Sequence, residues 1–305
     1  MNLPNKVTIK EVGPRDGLQN EKEHVSTEDK IAWINSLSET GLSYIEVSSF
    51  VHPTWIPQLA DASEVLRGIK RNKGVTYAAL VPNIRGLHRA LEANVDEVSV
   101  FMSASEGHNQ SNINKSIADT YPVLEEVVKE AKLAGKTVRG YVSTVIACPY
   151  DGPVSPAQVR KVAERLFYMG IDELSLGETI GVAVPSQVER LLEELLPHFN
   201  VDQLAMHFHD TRGTALANVV KSLEMGITTF DSALGGLGGC PYAKGASGNV
   251  ATDDLVYMLT ELGVETGINL DTLVKSAHFI ENALGKNLKS RQMEILRAQE
   301  KEQIS

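Results

Sequence analysis

Cysteine is scarce in these 305 residues: Cys148 and Cys240 are the only two. Two cysteines build no disulfide framework, so a reducing compartment is expected. Long apolar runs are missing too, and nothing approaches the roughly 20 residues that a membrane-spanning helix needs. The first twelve residues, MNLPNKVTIKEV, run almost directly into a strand-like segment, so neither a signal nor a transit peptide is expected. The sequence reading therefore places the chain in the cytoplasm, with no membrane partner. A basic surplus is absent as well. The formal net charge is −10, which argues against a general nucleic-acid binder without excluding a small anionic ligand at a local cationic cluster. No low-complexity tract, linker or internal repeat beyond a strand–helix alternation breaks the chain.

What is present is an ordinary core-forming composition, 42% hydrophobic and 22% charged. Eight short strand patterns alternate with amphipathic stretches. They are KVTIKEV from Lys6, SYIEVSS from Ser43, VTYAALV from Val75, DEVSVFMS from Asp96, TVRGYVSTVI from Thr137, DELSLGE from Asp172, QLAMHFH from Gln203 and TTFDSAL from Thr228. Helices are expected between them, for example DKIAWINSLSETG ending at Gly41 and SPAQVRKVAERLFYMG ending at Gly170, each closed by a C-cap glycine. Ser155 and Pro156 supply an N-cap and a first-turn proline. Eight units of this kind in about 260 residues predict an α/β fold, a closed (β/α)8 TIM barrel. No Gly-x-Gly-x-x-Gly turn follows the first strand, which counts against a doubly wound sheet. After the eighth strand comes a glycine-rich loop, Gly235 to Asn249, and then at least three helical patterns. A single domain over 1–305 is expected, with 265–305 as a helical C-terminal extension.

Strand parity separates chemistry from packing. Glu46 with Ser48, Arg139 with Tyr141 and Ser143, and His207 with His209 each share one parity, and apolar residues dominate the other. Successive side chains point to opposite faces, so the polar parity would face the barrel interior near its C-terminal mouth.

Two imidazoles at i and i+2 on one strand suit two positions around one metal ion; the plainer alternative is a pair of hydrogen-bonded core histidines. The first strand–helix loop, EVGPRDGLQNEK, offers Asp16 as the best carboxylate, and Asn249 could add a neutral oxygen. Such a set fits octahedral Mg²⁺ or Mn²⁺, while Zn²⁺ also accepts two histidines and a carboxylate. Arg15 beside Asp16 could stabilise an oxyanion. Glu46 could support the metal site, relay a proton, or pair with Arg139. Cys240 in a polar, glycine-rich loop suits a general acid/base or nucleophile, whereas Cys148 is expected to pack.

Together GPRDGLQNE, SYIEVSSFVHP, VRGYVSTVIACPYDG, LSLGETIGV, MHFHDT and GGLGGCPYAKGASGNVATDD resemble the 3-hydroxy-3-methylglutaryl-CoA lyases, in order and along nearly the whole chain. The cysteine loop is the most specific of these, because related metal-dependent lyases and Claisen-type synthases share the Arg-Asp-Gly loop and the His-x-His strand but not GGCPY. The resemblance implies cleavage of (S)-3-hydroxy-3-methylglutaryl-CoA to acetyl-CoA and acetoacetate with Mg²⁺ or Mn²⁺. It implies Asp16, His207, His209 and Asn249 as metal ligands, Arg15 as the stabiliser of the enolate, and Glu46 and Cys240 as catalytic residues. Asp16, Glu46 and a metal-held water stay open as the first base. Gln19, Arg139, Tyr141 and Ser175 are expected to line or support the substrate pocket. Glu178 stands where relatives usually carry Asp, and Arg212 where they often carry an aromatic residue. By analogy a homodimer through the C-terminal helices is expected. Rival readings are a lyase or condensing synthase for another 3-hydroxy-acyl-CoA, and a barrel that binds an acyl-CoA without turning it over.

Overall fold

In a computed structural model, residues 3–238 and 248–304 are described. Eight parallel strands close into a barrel: β1 (Thr8–Glu11), β2 (Tyr44–Ser49), β3 (Thr76–Leu80), β4 (Glu97–Ser103), β5 (Thr137–Ser143), β8 (Glu173–Glu178), β9 (Leu204–Phe208) and β10 (Thr229–Ser232). The remaining pair, β6 (Ala147–Cys148) and β7 (Gly152–Pro153), forms a small antiparallel hairpin. The expected strand TVRGYVSTVI thus ends at Ser143, and Thr144 turns the chain with φ +60°. Closure comes from β1 pairing with both β2 and β10.

Parity works as expected in β5: Val138 and Val142 pack outward against the helices, while Arg139 and Tyr141 point in. Gly140 shares the outward face, and a Cβ there would sit 2.8 Å from Ile171. In β2 the register shifts between Glu46 and Ser48, so these two do not continue one simple alternation. A bulge of this kind re-aims side chains next to a site.

The helices cover the barrel through one apolar stripe each. In α6 (Pro156–Met169), Val159, Val162, Ala163 and Leu166 are fully buried at helical spacing. Each buried valine or leucine there contributes roughly 1.5–3 kcal/mol. Ser155 accepts a hydrogen bond from Gln158 N, and Gly170 at φ +102° ends the helix. The first expected helix differs: α1 (Thr27–Leu37) stops at Ser38, and Gly41 (φ +95°) serves a later turn rather than the cap. There the chain passes so close to Gly267 O that a Cβ would sit 2.1 Å from it. After the barrel come α9 (Thr252–Glu261), α10 (Leu270–Leu284) and α11 (Arg291–Ile304). Among the described residues no helix is long and apolar enough to cross a membrane.

Candidate active site

A cavity of about 600 Å³ opens at the C-terminal ends of the strands, lined among others by Arg15, Asp16, Gln19, Tyr141, His207 and His209. Its floor begins with the turn Gly13–Gly17, where the amides of Arg15, Asp16 and Gly17 all donate to Val12 O. Gly17 lets this turn approach the segment after β10, since a Cβ would meet Leu237 Cβ at 2.9 Å. Gly238, at φ +100°, approaches from the other side, where a Cβ would sit 2.6 Å from Asn249 Nδ2 and 3.2 Å from Asp16 O.

One ligand atom each from Asp16, His207 and His209 falls within 4.8 Å of the others. The two imidazoles lie 5.3 Å apart between centroids, His209 one residue beyond the end of β9. Asn249 bridges to His209 through the backbone and donates from Nδ2 to Asp16 Oδ2 at 2.8 Å. Burial works against the ionised form of Asp16. Arg15, the two histidines and the Asn249 hydrogen bond outweigh it and hold the carboxyl down to about 2. Burial and the neighbouring His207 push His209 down to about 4, leaving a neutral imidazole.

The group fits a divalent cation on three observations. His209 Nδ1 and Asn249 Oδ1 are buried without a hydrogen-bond partner among the described residues. The donor set is two imidazoles, an ionised carboxylate and an amide oxygen. In the barrel's ion pairs, three cations (Lys10, Arg15 and Arg139) face five carboxylates (Asp16, Glu46, Glu97, Glu173 and Asp231). Beside the cluster itself, Arg15 is the single ion-pair partner of both Asp16 and Glu46 among the described residues, which leaves local negative charge for a cation to offset.

Arg15 is clamped. Its Nε donates to Glu46 Oε2 at 2.5 Å, its Nη1 to Asp16 Oδ1 at 2.5 Å, and its guanidinium lies 5.4 Å from the Tyr141 ring. Although burial opposes its charge, Glu46 and Asp16 keep the guanidinium protonated beyond its usual range. Glu46 therefore pairs with Arg15 and not with Arg139. It is fully buried and not among the described cavity-lining residues, and burial pushes its carboxyl up. Arg139 instead donates through both Nη atoms to Asp231, through Nη1 also to Tyr141 OH, and through Nε to Glu173. Ser175 also donates to Asp231, at 2.7 Å, so Arg139 and Ser175 sit beneath the cavity while Gln19 and Tyr141 line it.

Asp231 was not singled out in the sequence. Its Oδ2 lies 3.2 Å from His207 Nδ1, a position from which the carboxylate favours the proton on Nδ1 and leaves Nε2 free to act as a ligand. No short window of sequence marks it: the register of β9 against β10 is what brings Asp231 beside His207. Glu178 is buried, accepts from Val182 N at 3.2 Å and holds the loop after β8. Arg212 is exposed and outside the described cavity wall. Cys148 is buried and accepts from the amides of Tyr150 and Asp151, as packing requires. Cys240 lies outside the described residues.

Known proteins carry the same arrangement of fold and sequence. The HMGL-like family model matches residues 6–280. The chain belongs to the HMGL-like family. A hydroxymethylglutaryl-CoA lyase of Bacillus subtilis is 58% identical over 98% of this chain and all of its own. A crystal structure of a Bacillus subtilis HMG-CoA lyase superposes with a TM-score of 0.96 over 97% of this chain and 100% of that one, again at 58% identity. A 3-hydroxy-3-isohexenylglutaryl-CoA/hydroxymethylglutaryl-CoA lyase of Pseudomonas aeruginosa is 51% identical over 98% of this chain and 99% of its own. An HMG-CoA lyase of Acinetobacter baumannii, solved with coenzyme A and 3-methylmalate, shares 42% identity and a TM-score of 0.90, covering 94% of both chains.

Proposed function

We propose that this member of the HMGL-like family is a carbon–carbon lyase that cleaves (S)-3-hydroxy-3-methylglutaryl-CoA to acetyl-CoA and acetoacetate. The observation that carries the reading is the cluster Asp16, His207 and His209 with Arg15 beside it, at one end of a single cavity. Asp16, His207, His209 and Asn249 would hold Mg²⁺ or Mn²⁺, which supplies Lewis acidity toward the C3 hydroxyl and the C5 carboxylate. As the C2–C3 bond breaks, the C3 hydroxyl gives its proton to a base, for which Asp16 and Glu46 are candidates, and becomes the acetoacetate carbonyl. The electron pair of the broken bond passes to the thioester as an enolate. Arg15, fixed by Glu46 and Asp16, holds the developing charge on the thioester oxygen. Cys240 donates the proton that completes acetyl-CoA. Tyr141 and Gln19 bound the acyl group, and Arg139 and Ser175 support the site through Asp231.

The acyl-CoA handle has a place beside the cavity. A second cleft shares Asn20 and Gly238 with it and carries Lys22, Lys289 and Lys286, the last paired with Glu21 in the same cleft, cationic side chains that could meet phosphate groups. One catalytic unit over 1–305, with 265–305 as its extension, a cytoplasmic setting and a homodimer through α10 and α11 belong to the same proposal. Purified protein with Mg²⁺ and the CoA thioester should release acetoacetate, and EDTA should stop it. No acetoacetate, with cleavage of another acyl-CoA, would sink the reading.

A second substrate is favoured by the cavity's apolar wall, which includes Val51, Ile56, Pro82, Phe101 and Leu124. Such a wall suits a longer alkyl branch at C3, the kind named for the Pseudomonas aeruginosa relative. Comparing kcat/KM for methyl and isohexenyl substrates decides it.

A further inference from the structure

Glu11 ends β1 on the face opposite Lys10, and its carboxylate is completely buried. It collects three donors from three separate places in the chain. Oε1 accepts from Gly13 N at 2.7 Å and Leu234 N at 3.0 Å, and Oε2 accepts from the Thr252 hydroxyl at 2.6 Å. Gly13 opens the turn that carries Arg15 and Asp16. Leu234 opens the short turn Leu234–Gly236, from which Leu237 O accepts the Asn249 amide. Thr252 opens α9, three residues after Asn249. Space is cleared for the carboxylate as well, since a Cβ on Gly13 would sit 2.5 Å from Glu11 Oε1.

A carboxylate is a costly choice for a fully buried position, and burial lifts this one to about 7 against the pull of its three hydrogen bonds. An apolar side chain would fill the same volume without that cost. Only a group with several acceptor sites can satisfy two amides and a hydroxyl from three segments at once. Nearby Asp253 makes an instructive contrast. It accepts from Gly235 N at 2.9 Å and from the Ser290 hydroxyl, tying the segment after β10 to the C-terminal extension alone. Glu11 reaches the neighbouring amide, Leu234, and the Arg15–Asp16 turn together.

We propose that Glu11 is a positioning residue that sets the Arg15–Asp16 turn in register with Asn249, so that Asp16 and Asn249 face one cation. The inference rests on the reading of Asp16, His207 and His209 as a metal site. Glu11 itself acts through backbone groups and does not line the described cavity wall.

The test is Mn²⁺ titration of the full-length protein, following free ion by electron paramagnetic resonance, with circular dichroism to verify folding. Glu11→Ala is expected to weaken Mn²⁺ binding about tenfold or more, the range seen when support of a metal ligand is removed. Glu11→Gln is expected to bind within about threefold of wild type, because positioning needs acceptors rather than charge. Its amide oxygen keeps both N–H donors, while its nitrogen donates to Thr252 Oγ1, whose proton then turns to Ser232 Oγ at 2.8 Å. Wild-type affinity in folded Glu11→Ala, or a Gln variant as weak as the Ala variant, overturns the proposal. Should Glu11→Ala fail to fold, Thr252→Val removes the hydroxyl's bonds to Glu11 and Ser232 while leaving both amide bonds to Glu11, and must still weaken Mn²⁺ binding; unchanged affinity there also overturns it. Asp16→Ala serves as the separate check on the metal reading. If it binds Mn²⁺ like wild type, that reading falls rather than the role of Glu11.

Discussion

Two halves of the barrel interior carry charge in opposite ways. In the lower half, Lys10, Arg139, Glu173 and Asp231 pair among themselves, with Lys10 at 2.8 Å and Arg139 at 2.5 Å from Glu173. Both Asp231 oxygens accept from Arg139. In the upper half, His209 Nδ1, Asn249 Oδ1 and Glu46 Oε1 are buried without partners among the described residues. Burying an unpartnered polar atom costs about 1–3 kcal/mol, and the lower half carries some of that cost too, at Tyr44 OH, Glu97 Oε1 and Ser99 Oγ. What sets the upper half apart is that its orphaned atoms on His209 and Asn249 flank one cluster of ligand-type side chains. The lower network holds the strands; the upper one is prepared to bind. Asp231 joins them, gripping Arg139 below and His207 above.

The comparison can be broken first from the upper side. Arg15→Gln is expected to lower kcat by about 10²–10³, the usual loss for one donor to a developing oxyanion, with a small change in KM. Cys240→Ala should likewise cut turnover far more than substrate binding. Steady-state kinetics at saturating Mg²⁺ measure both, and unchanged turnover in both would refute the assigned roles. The joint itself comes next. Asp231→Asn should weaken metal binding by about 10–100-fold, because an amide in place of the carboxylate loosens the hold on His207 Nδ1–H. Calorimetric titration with Mn²⁺ reads this, and wild-type affinity would detach the lower half from function.

The smallest effect concerns stability. Burial raises the Asp253 carboxyl to about 6 from an ordinary value near 4. A carboxyl raised in the folded state favours folding below pH 4, and that contribution fades as pH climbs through 6. Asp253→Asn lacks this titration, so its stability should gain on that of the wild type between pH 4 and pH 7, by on the order of 2 kcal/mol, read as a growing Tm difference. A Tm difference that stays flat over that range would contradict the shift.

Most of the barrel was legible in the sequence, because the period-two pattern of each strand is local. The eight runs and the inward face of β5 follow from neighbouring residues alone. The pair His207 and His209 was equally visible, since two imidazoles on one parity rarely serve packing. Partners across strands were harder. For Glu46, pairing with Arg139 is one of three roles the sequence leaves open, and the structure, with a register shift in β2 just after it, pairs it with Arg15 instead. Glu11 and Asp231 stayed hidden because their roles depend on contacts between distant segments, Glu11 with the turn after β10 and Asp231 with Arg139, Ser175 and His207 on β5, β8 and β9. Leu234 lies 223 residues beyond Glu11, and no window along the chain shows that they touch.

The same closure dictates when the site can exist. Asp16 and Asn249 meet across 233 residues, and β1 has its second neighbour only once β10 has been made. A growing chain that stops short of β10 carries the Arg15–Asp16 turn and both histidines, yet has neither a closed sheet nor a complete ligand set. On the proposed ligand set, capture of a divalent ion would be deferred to the end of synthesis, and the ion would stabilise the closed barrel over any shorter chain.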